Sequence, residues 1–204
     1  MGLETLLAFA AAMLVLSVTP GPGCFMVVAR ALAGGFGSGL AAVAGLVLGD
    51  ILYLLLAVLG LSALASLLGE FFLVVKLLGA GLLIWLGFRA WRAPVAVQLV
   101  APSTDRRGLW RSFALGFFVT LGNVKVVLFY VAFVPTFVEV ARLSVGDVLL
   151  LSAVLASTLT AVLGGYAFLA ARAGRLLRSE TARRRLNRLS GGLLIGAGVE
   201  VATR

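Results

Sequence analysis

Two prolines and two glycines interrupt the first long apolar stretch of this chain. The interruption reads TPGPG at 19–23 and lies inside an apolar run that extends from Thr5 to Ala29. Proline has no backbone N–H and breaks the hydrogen-bond ladder of a helix. In a membrane, such a break is tolerated where the freed backbone groups find partners in the protein or line a cavity. If the flanking run crosses a membrane, the break is therefore a candidate functional element.

The composition places the chain in a bilayer. Its 204 residues are 62% hydrophobic and 12% charged, whereas soluble domains are about 25% charged. Apolar runs long enough to cross fall at 4–29, 38–61, 71–89, 112–134 and 147–171, with a shorter run at 189–203. A span needs about 20 residues, so we expect an all-α integral membrane protein with six transmembrane helices. The N-terminus has no basic region of the signal-peptide kind, and the first run is expected to stay as a span.

Most basic residues lie between the apolar runs, in the loops at 30–37, 89–111 and 172–188. The positive-inside rule predicts that these loops are cytoplasmic, and with six spans both termini then lie outside. The net charge of +9 is explained by this orientation, so nucleic-acid binding is not expected. The Arg-rich segment from Arg172 to Arg188 resembles an amphipathic surface helix and is expected to contact anionic lipid headgroups.

The two halves of the chain share a short motif, VTPGP at 18–22 and VTLGN at 119–123. We therefore expect one transmembrane domain over 1–204, with a first repeat at about 1–92, a cytoplasmic loop at about 93–111 and a second repeat at about 112–204. Three spans in each half would insert the second half upside down, which is an architecture of secondary transporters.

Small residues recur at helical spacing within two of the spans. Rows of this kind predict close helix packing and would permit a homodimer. The rows are Ala41, Gly45 and Gly49 in span two, and Gly192 and Gly196 in span six.

Two ionisable side chains lie well inside predicted spans, Asp50 in span two and Lys125 in span four. Each costs about 2.5–3.5 kcal/mol on insertion scales, so each should face a polar interior and have a partner. One interpretation is that they pair with each other. The other places both in a substrate or proton pathway, with Asp50 as the proton or ammonium site.

Lys125 follows Gly122 and Asn123, so backbone amides, a side-chain amide and an ammonium converge there and suit a carboxylate. The break at Pro20-Gly21-Pro22 adds carbonyl groups before it, which suit an ammonium, and amides after it, which suit an anion. A zwitterion would satisfy both. A packing kink at the prolines and an interhelical hydrogen bond at Asn123 are the alternatives. Tyr53, three residues beyond Asp50, is a further candidate pocket residue because it can share the same helix face.

The residue inventory argues against an enzyme. The chain has no His and one Cys, Cys24, which excludes a Cys/His metal site and a disulfide framework. It also shows no phosphate-binding loop and no clustered carboxylates, so we expect no metal and no cofactor.

Together, these motifs resemble the LysE/RhtB family of bacterial amino-acid exporters. The resemblance rests on TPGPG at 19–23, GGFGSGLAAVAGLVLGD at 34–50, KLLGAGLLIWLGFRAWR at 76–92 and TLGNVKVVLFYVAFVPTFV at 120–138. It implies a multi-pass protein of the bacterial inner membrane that exports an amino acid or a related metabolite by alternating access, with a proton gradient as the usual driving force. A passive channel or a structural partner subunit is the alternative.

The chain departs from the family pattern at two positions. Gly23 stands where the family usually has Asn, and Val124 stands where the family usually has Pro in an Asn-Pro-Lys sequence. Losing that proline restores a backbone N–H and removes one cause of helix breakage. Span four is therefore expected to be straighter than in its relatives, although Gly122 still permits a bend.

Overall fold

The computed structural model describes residues 1–92, 106–130 and 143–176, with Arg188, Gly192, Ile195, Gly196 and Val199, and only a few side chains between 59 and 92. The elements of this part are α1 (Leu3–Val18), α2 (Pro22–Arg92), α3 (Arg106–Leu121), α4 (Val124–Leu128) and α5 (Val145–Leu176). The all-helical class is thereby confirmed. Most of the loop at 93–111, of the Arg-rich segment 172–188 and of the run 189–203 lies outside the described residues, so the six-helix inverted repeat stays a prediction.

The chain reverses direction inside α2, at Gly35. This glycine has a φ of 78°, in the left-handed region that side chains disfavour. A Cβ atom on Gly39 would lie 2.8 Å from the Cβ atom of Ala31, whereas residues eight apart in a straight helix are about 12 Å apart. The two sides of Gly35 therefore run antiparallel, where a connection at 30–37 was predicted.

We name the two sides the first arm (22–34) and the second arm (36–58) of α2. The first predicted span, 4–29, consists of α1, a break at 19–21 and most of the first arm. The 16 residues of α1 extend only about 24 Å, less than the roughly 30 Å of a hydrocarbon core. In the described part of the chain, Pro22–Val58 and Val145–Gly174 are long and apolar enough to cross, and the first of these contains the reversal.

Contacts at the two ends of α5 show which parts of the chain lie at the same end of the helices. At its C-terminal end, contacts join parts of the first, third and fifth predicted loops, namely Gly37 with Leu109 and Gly174 with Leu32. At its N-terminal end, the ammonium of Met1 lies 3.0 Å from a carboxylate oxygen of Asp147. The N-terminus and the start of α5 therefore lie at the same end, opposite the basic loops.

The second arm of α2 crosses α3 at glycines. A Cβ atom on Gly45 would overlap the carbonyl oxygen of Phe113, and one on Gly116 would overlap the carbonyl oxygen of Ala42. A Cβ atom on Gly49 would lie 2.8 Å from the side chain of Thr120. The close packing predicted for the small-residue row of span two is confirmed at Gly45 and Gly49, and its partner is α3.

The helix that contains the start of span four begins before the predicted span. The range 106–111 was assigned to the loop at 89–111, but α3 already begins at Arg106, and α2 continues to Arg92. Trp110 remains 67% exposed and its ring lies 5.2 Å from that of Phe113. Arginine and tryptophan are residues of the membrane interface, so a helix can extend past its apolar run into that layer.

Gly116→Ala is expected to lower the free energy of unfolding by about 1–3 kcal/mol, the range for overpacking, because the added Cβ meets the Ala42 carbonyl. Gly164→Ala is the matched control, since no described atom lies within 4 Å of its Cβ position and alanine favours a helix. Thermal unfolding of both purified variants in one detergent makes the comparison. Equal midpoints would contradict the close approach of α2 and α3.

Candidate transport site

The break between α1 and α2 leaves two backbone carbonyls without helical donors. In an α-helix, the carbonyl of one residue accepts a hydrogen bond from the N–H four residues later. Pro20 and Pro22 have no N–H, so the carbonyls of Leu16 and Val18 have no donor at those positions. Both lie in the last turn of α1, and in a membrane both need partners from elsewhere.

Side chains from the second half of the chain donate to these carbonyls. The ammonium of Lys125 donates to the carbonyl oxygens of Leu16 and Thr19, each at 2.9 Å. The hydroxyl of Tyr166, on α5, donates to the carbonyl oxygen of Val18 at 3.2 Å. The break in the first half is therefore stabilised by the second half.

A second break separates α3 from α4. Asn123 has extended backbone angles, φ −86° and ψ 102°, and its side-chain oxygen accepts a hydrogen bond from the backbone N–H of Lys125 at 3.2 Å. Its carbonyl also accepts the first backbone bonds of α4, from Val126 and Val127. Asn123 is thus the N-cap of α4, a position that asparagine favours.

Span four contains the bend that Gly122 was expected to permit, whereas its straightness relative to other members of the family stays a prediction. The span is interrupted between Leu121 and Val124 although Val124 replaces the family proline. The asparagine cap, together with Gly122, ends one helix and starts the next without a missing N–H. Asn123 was already visible in the sequence, and its tendency to cap a helix favours a break at this place even without a proline.

The two breaks face a common cavity of about 50 Å³, room for a few water molecules. Its polar lining residues include Asp50, Thr120, Asn123 and Lys125, and its apolar lining residues include Leu46, Val126, Leu159 and Leu163. Of the predicted site residues, the structure brings Asp50, Asn123, Lys125 and Gly21 together here. Pro20, Pro22, Gly122 and Tyr53 do not line this cavity. The first three shape the breaks beside it.

Asp50 is only 2% exposed, and one of its carboxylate oxygens accepts a hydrogen bond from the hydroxyl of Tyr130 at 3.0 Å. Tyr130 is fully buried and stacks on Tyr53, with ring centroids 6.2 Å apart. The Tyr53 hydroxyl in turn donates to the carbonyl of Leu121, at the end of α3. Tyr53 therefore lies behind the site and not in its wall.

Tyr130 is a residue of the candidate site that the sequence alone did not single out. It lies in the opposite half of the chain from Asp50, and no spacing rule joins the two positions. A buried carboxylate needs a donor, so the requirement was predictable from Asp50, but the identity of the donor was not.

The two charged side chains are held separately. Within the described residues, Asp50 and Lys125 do not approach within the 4.0 Å of an ion pair, so the pairing alternative does not describe this conformation. The carboxylate of Asp50 and the ammonium of Lys125 instead belong to two separate lining residues of one cavity.

Tyr166→Phe is expected to lower the free energy of unfolding by about 0.5–1.5 kcal/mol, the range for one hydrogen bond, because the Val18 carbonyl loses its donor. Ser157→Ala is the matched control, since its hydroxyl bonds to Val154 within the same helix, three residues away. Thermal unfolding in one detergent compares the two deletions. A cost for Tyr166→Phe no greater than that of the control would show that this carbonyl does not depend on Tyr166.

Known proteins resemble this chain over nearly its whole length. The family model described as LysE type translocator matches residues 14–204. An uncharacterized membrane protein of Synechocystis is 41% identical, with 98% of this chain and 96% of the relative covered. A homoserine/homoserine lactone efflux protein of Salmonella typhimurium is 31% identical, with 92% and 91% covered. A leucine efflux protein of Klebsiella pneumoniae is 30% identical, with 91% and 89% covered.

No solved structure matches the chain. The resemblance inferred from the motifs is confirmed by the family match and by the relatives that share it. Members of this family are membrane transporters and not enzymes. The chain belongs to the LysE type translocator family.

Proposed function

We propose that the protein exports a small amino acid or amino-acid derivative across the bacterial inner membrane, driven by proton entry. The observation that carries the proposal is the cavity that holds Asp50 and Lys125 beside the breaks of both halves. Two relatives, named as efflux proteins for homoserine or its lactone and for leucine, support an amino-acid substrate. The buried carboxylate supports proton coupling, because intramembrane acidic residues serve in proton relays.

The position of the breaks supports alternating access between two inverted halves. α1 ends at Val18 and α2 begins at Pro22, while α3 ends at Leu121 and α4 begins at Val124. Both interruptions fall within the repeated motif, at 19–21 of VTPGP (18–22) and at 122–123 of VTLGN (119–123). Discontinuous helices that meet at a substrate site are a feature of transporters built from inverted repeats.

The predicted site residues that line the cavity, and the break beside it, have distinct roles in this proposal. Asp50 takes up the proton or the substrate ammonium, with Tyr130 holding its carboxylate in place. Lys125 binds the substrate carboxylate, and Asn123 positions Lys125 by capping α4. The break at 20–22 supplies flexibility and backbone carbonyls.

The orientation follows from the basic end of the molecule. Arg30 donates to the hydroxyl of Ser112 at 2.9 Å, at the end where Leu32, Leu109 and Gly174 also lie. Loops 30–37, 89–111 and 172–188 lie in the cytoplasm in this proposal, with both termini outside. Contact of the segment 172–188 with anionic lipid and a homodimer remain predictions.

Asp50→Asn is expected to abolish proton-driven accumulation, because an amide cannot take up and release the proton. The exported solute is first identified by comparing metabolites released from cells with and without the protein. Its uphill transport is then measured in membrane vesicles under an imposed proton gradient, and its exchange across the membrane is measured without one. The variant should lose the first activity, while retention of exchange would separate lost coupling from lost binding.

Glu4→Gln is the matched control, since this exposed carboxylate at the start of α1 lies away from the cavity and should leave both activities unchanged. Full uphill transport by Asp50→Asn would show that Asp50 is not the coupling site. A passive channel would be supported if, with the unaltered protein, the solute concentration inside the vesicles never rises above that outside.

A further inference from the structure

We infer that the carbonyl oxygens of Leu16 and Thr19 form a subsite for a primary ammonium group. In this conformation the ammonium of Lys125 fills it, and during export the ammonium of the substrate replaces that of Lys125. This inference rests on the proposed function, because it specifies how the same cavity recognises an amino acid.

The geometry suits a primary ammonium. Both carbonyl oxygens lie 2.9 Å from one nitrogen, the Nζ of Lys125. A primary ammonium carries three N–H donors, so it can bridge two carbonyls at once, whereas a quaternary ammonium has no donor. Pro20 keeps the Leu16 carbonyl available, because no backbone N–H competes for it at that position.

The charges explain why an amino acid can displace Lys125. Hydrogen bonds between an ammonium and a carboxylate are about twice as strong as neutral ones, so Lys125 gains by turning from the carbonyls to a substrate carboxylate. That movement leaves two carbonyls unpaired, which is costly in a membrane. The substrate's own ammonium then takes the place that Lys125 vacates.

This exchange needs both charges on one solute. An amine without a carboxylate offers Lys125 no new partner, and a carboxylic acid without an amine leaves the carbonyls of Leu16 and Thr19 unpaired. The subsite therefore selects a solute that carries a primary ammonium close to a carboxylate, as every α-amino acid does.

Occupation of the subsite also holds the break closed. Lys125 lies on α4, whereas its carbonyl partners lie in and just after α1, so the break at 19–21 is free to change shape when the subsite is empty. Cys24 lines the cavity next to this break, is 8% exposed and is the one cysteine of the chain. Maleimide reacts with the thiolate, so labelling of Cys24 is measured at several pH values, and the rate extrapolated to full ionisation of the thiol reports the opening of the break.

Lys125→Ala tests the subsite without knowledge of the substrate. The purified variant is expected to label at Cys24 about tenfold faster than the unaltered protein, a change equivalent to about 1.4 kcal/mol, because the break loses its donor. Millimolar n-butylammonium, which resembles the missing side chain, should restore slow labelling by binding the two carbonyls. Tetramethylammonium at the same concentration should have no effect, because it has no N–H.

Three results would overturn the subsite: unchanged labelling in Lys125→Ala, equal effects of the two cations, or no effect of n-butylammonium. Lys125→Arg provides a second variant should Lys125→Ala fail to fold. Its guanidinium keeps the charge and several donors, so it should label at the slow rate, and fast labelling would contradict the inference. Arg106→Ala, which removes an exposed cation at the far end of α3 from the break, should label at the same rate as the unaltered protein.

The outcomes separate this inference from the proposed function. Selective rescue by n-butylammonium in a protein that moves no solute uphill would support the subsite and contradict proton-driven export. Proton-driven export together with unchanged labelling in Lys125→Ala would contradict the subsite alone.

Discussion

A backbone carbonyl in the hydrocarbon layer must have a donor, and much of the described site follows from this requirement. Pro20 and Pro22 remove the N–H groups that would have paired with the carbonyls of Leu16 and Val18. In a membrane, carbonyls freed in this way need partners in the protein or in a cavity. Lys125 and Tyr166 supply the donors, and both come from the second half of the chain. The prolines therefore create a local defect whose repair brings the two halves together.

The same contacts assemble the site. Lys125 can reach the first break because α4 begins at Val124, next to the asparagine cap. The second arm of α2 can bring Asp50 close to α3 and α4 because Gly45 and Gly116 allow the helices to approach within backbone contact. Asp50 then finds its donor in Tyr130. A carboxylate and an ammonium consequently share one cavity while each keeps partners of its own.

The sequence predicted the features that local chemistry decides. The prolines indicated a break, and the cost of burying charge indicated that Asp50 and Lys125 face a polar interior. It could not predict which donors repair the break, because Lys125 and Tyr166 are distant along the chain and no periodicity links them to Leu16 or Val18. For the same reason, the partnership of Asp50 with Tyr130 was not foreseen.

Two features of the second half have local causes. α3 begins earlier than the apolar run because arginine and tryptophan are stable in a helix at the membrane interface. The break before Lys125 persists without proline because asparagine caps a helix by itself. The start of span four was predicted from the hydrophobic pattern, but the helix extends further because its first residues suit the interface. The shape of span four was predicted from the missing proline, but the asparagine cap is enough to break the helix.

A double-mutant cycle on Pro20 and Lys125 tests most directly whether the proline defect is what Lys125 repairs. Pro20→Ala gives the Leu16 carbonyl a backbone donor, so Lys125→Met should destabilise this variant less than it destabilises the unaltered protein. Free energies of unfolding in one detergent should show a coupling of at least about 0.5 kcal/mol, as expected for groups that share a partner. If the losses in free energy of unfolding of the two single variants add up to that of the double variant, the two residues act independently. That result would contradict the claim that Lys125 repairs the defect made by Pro20.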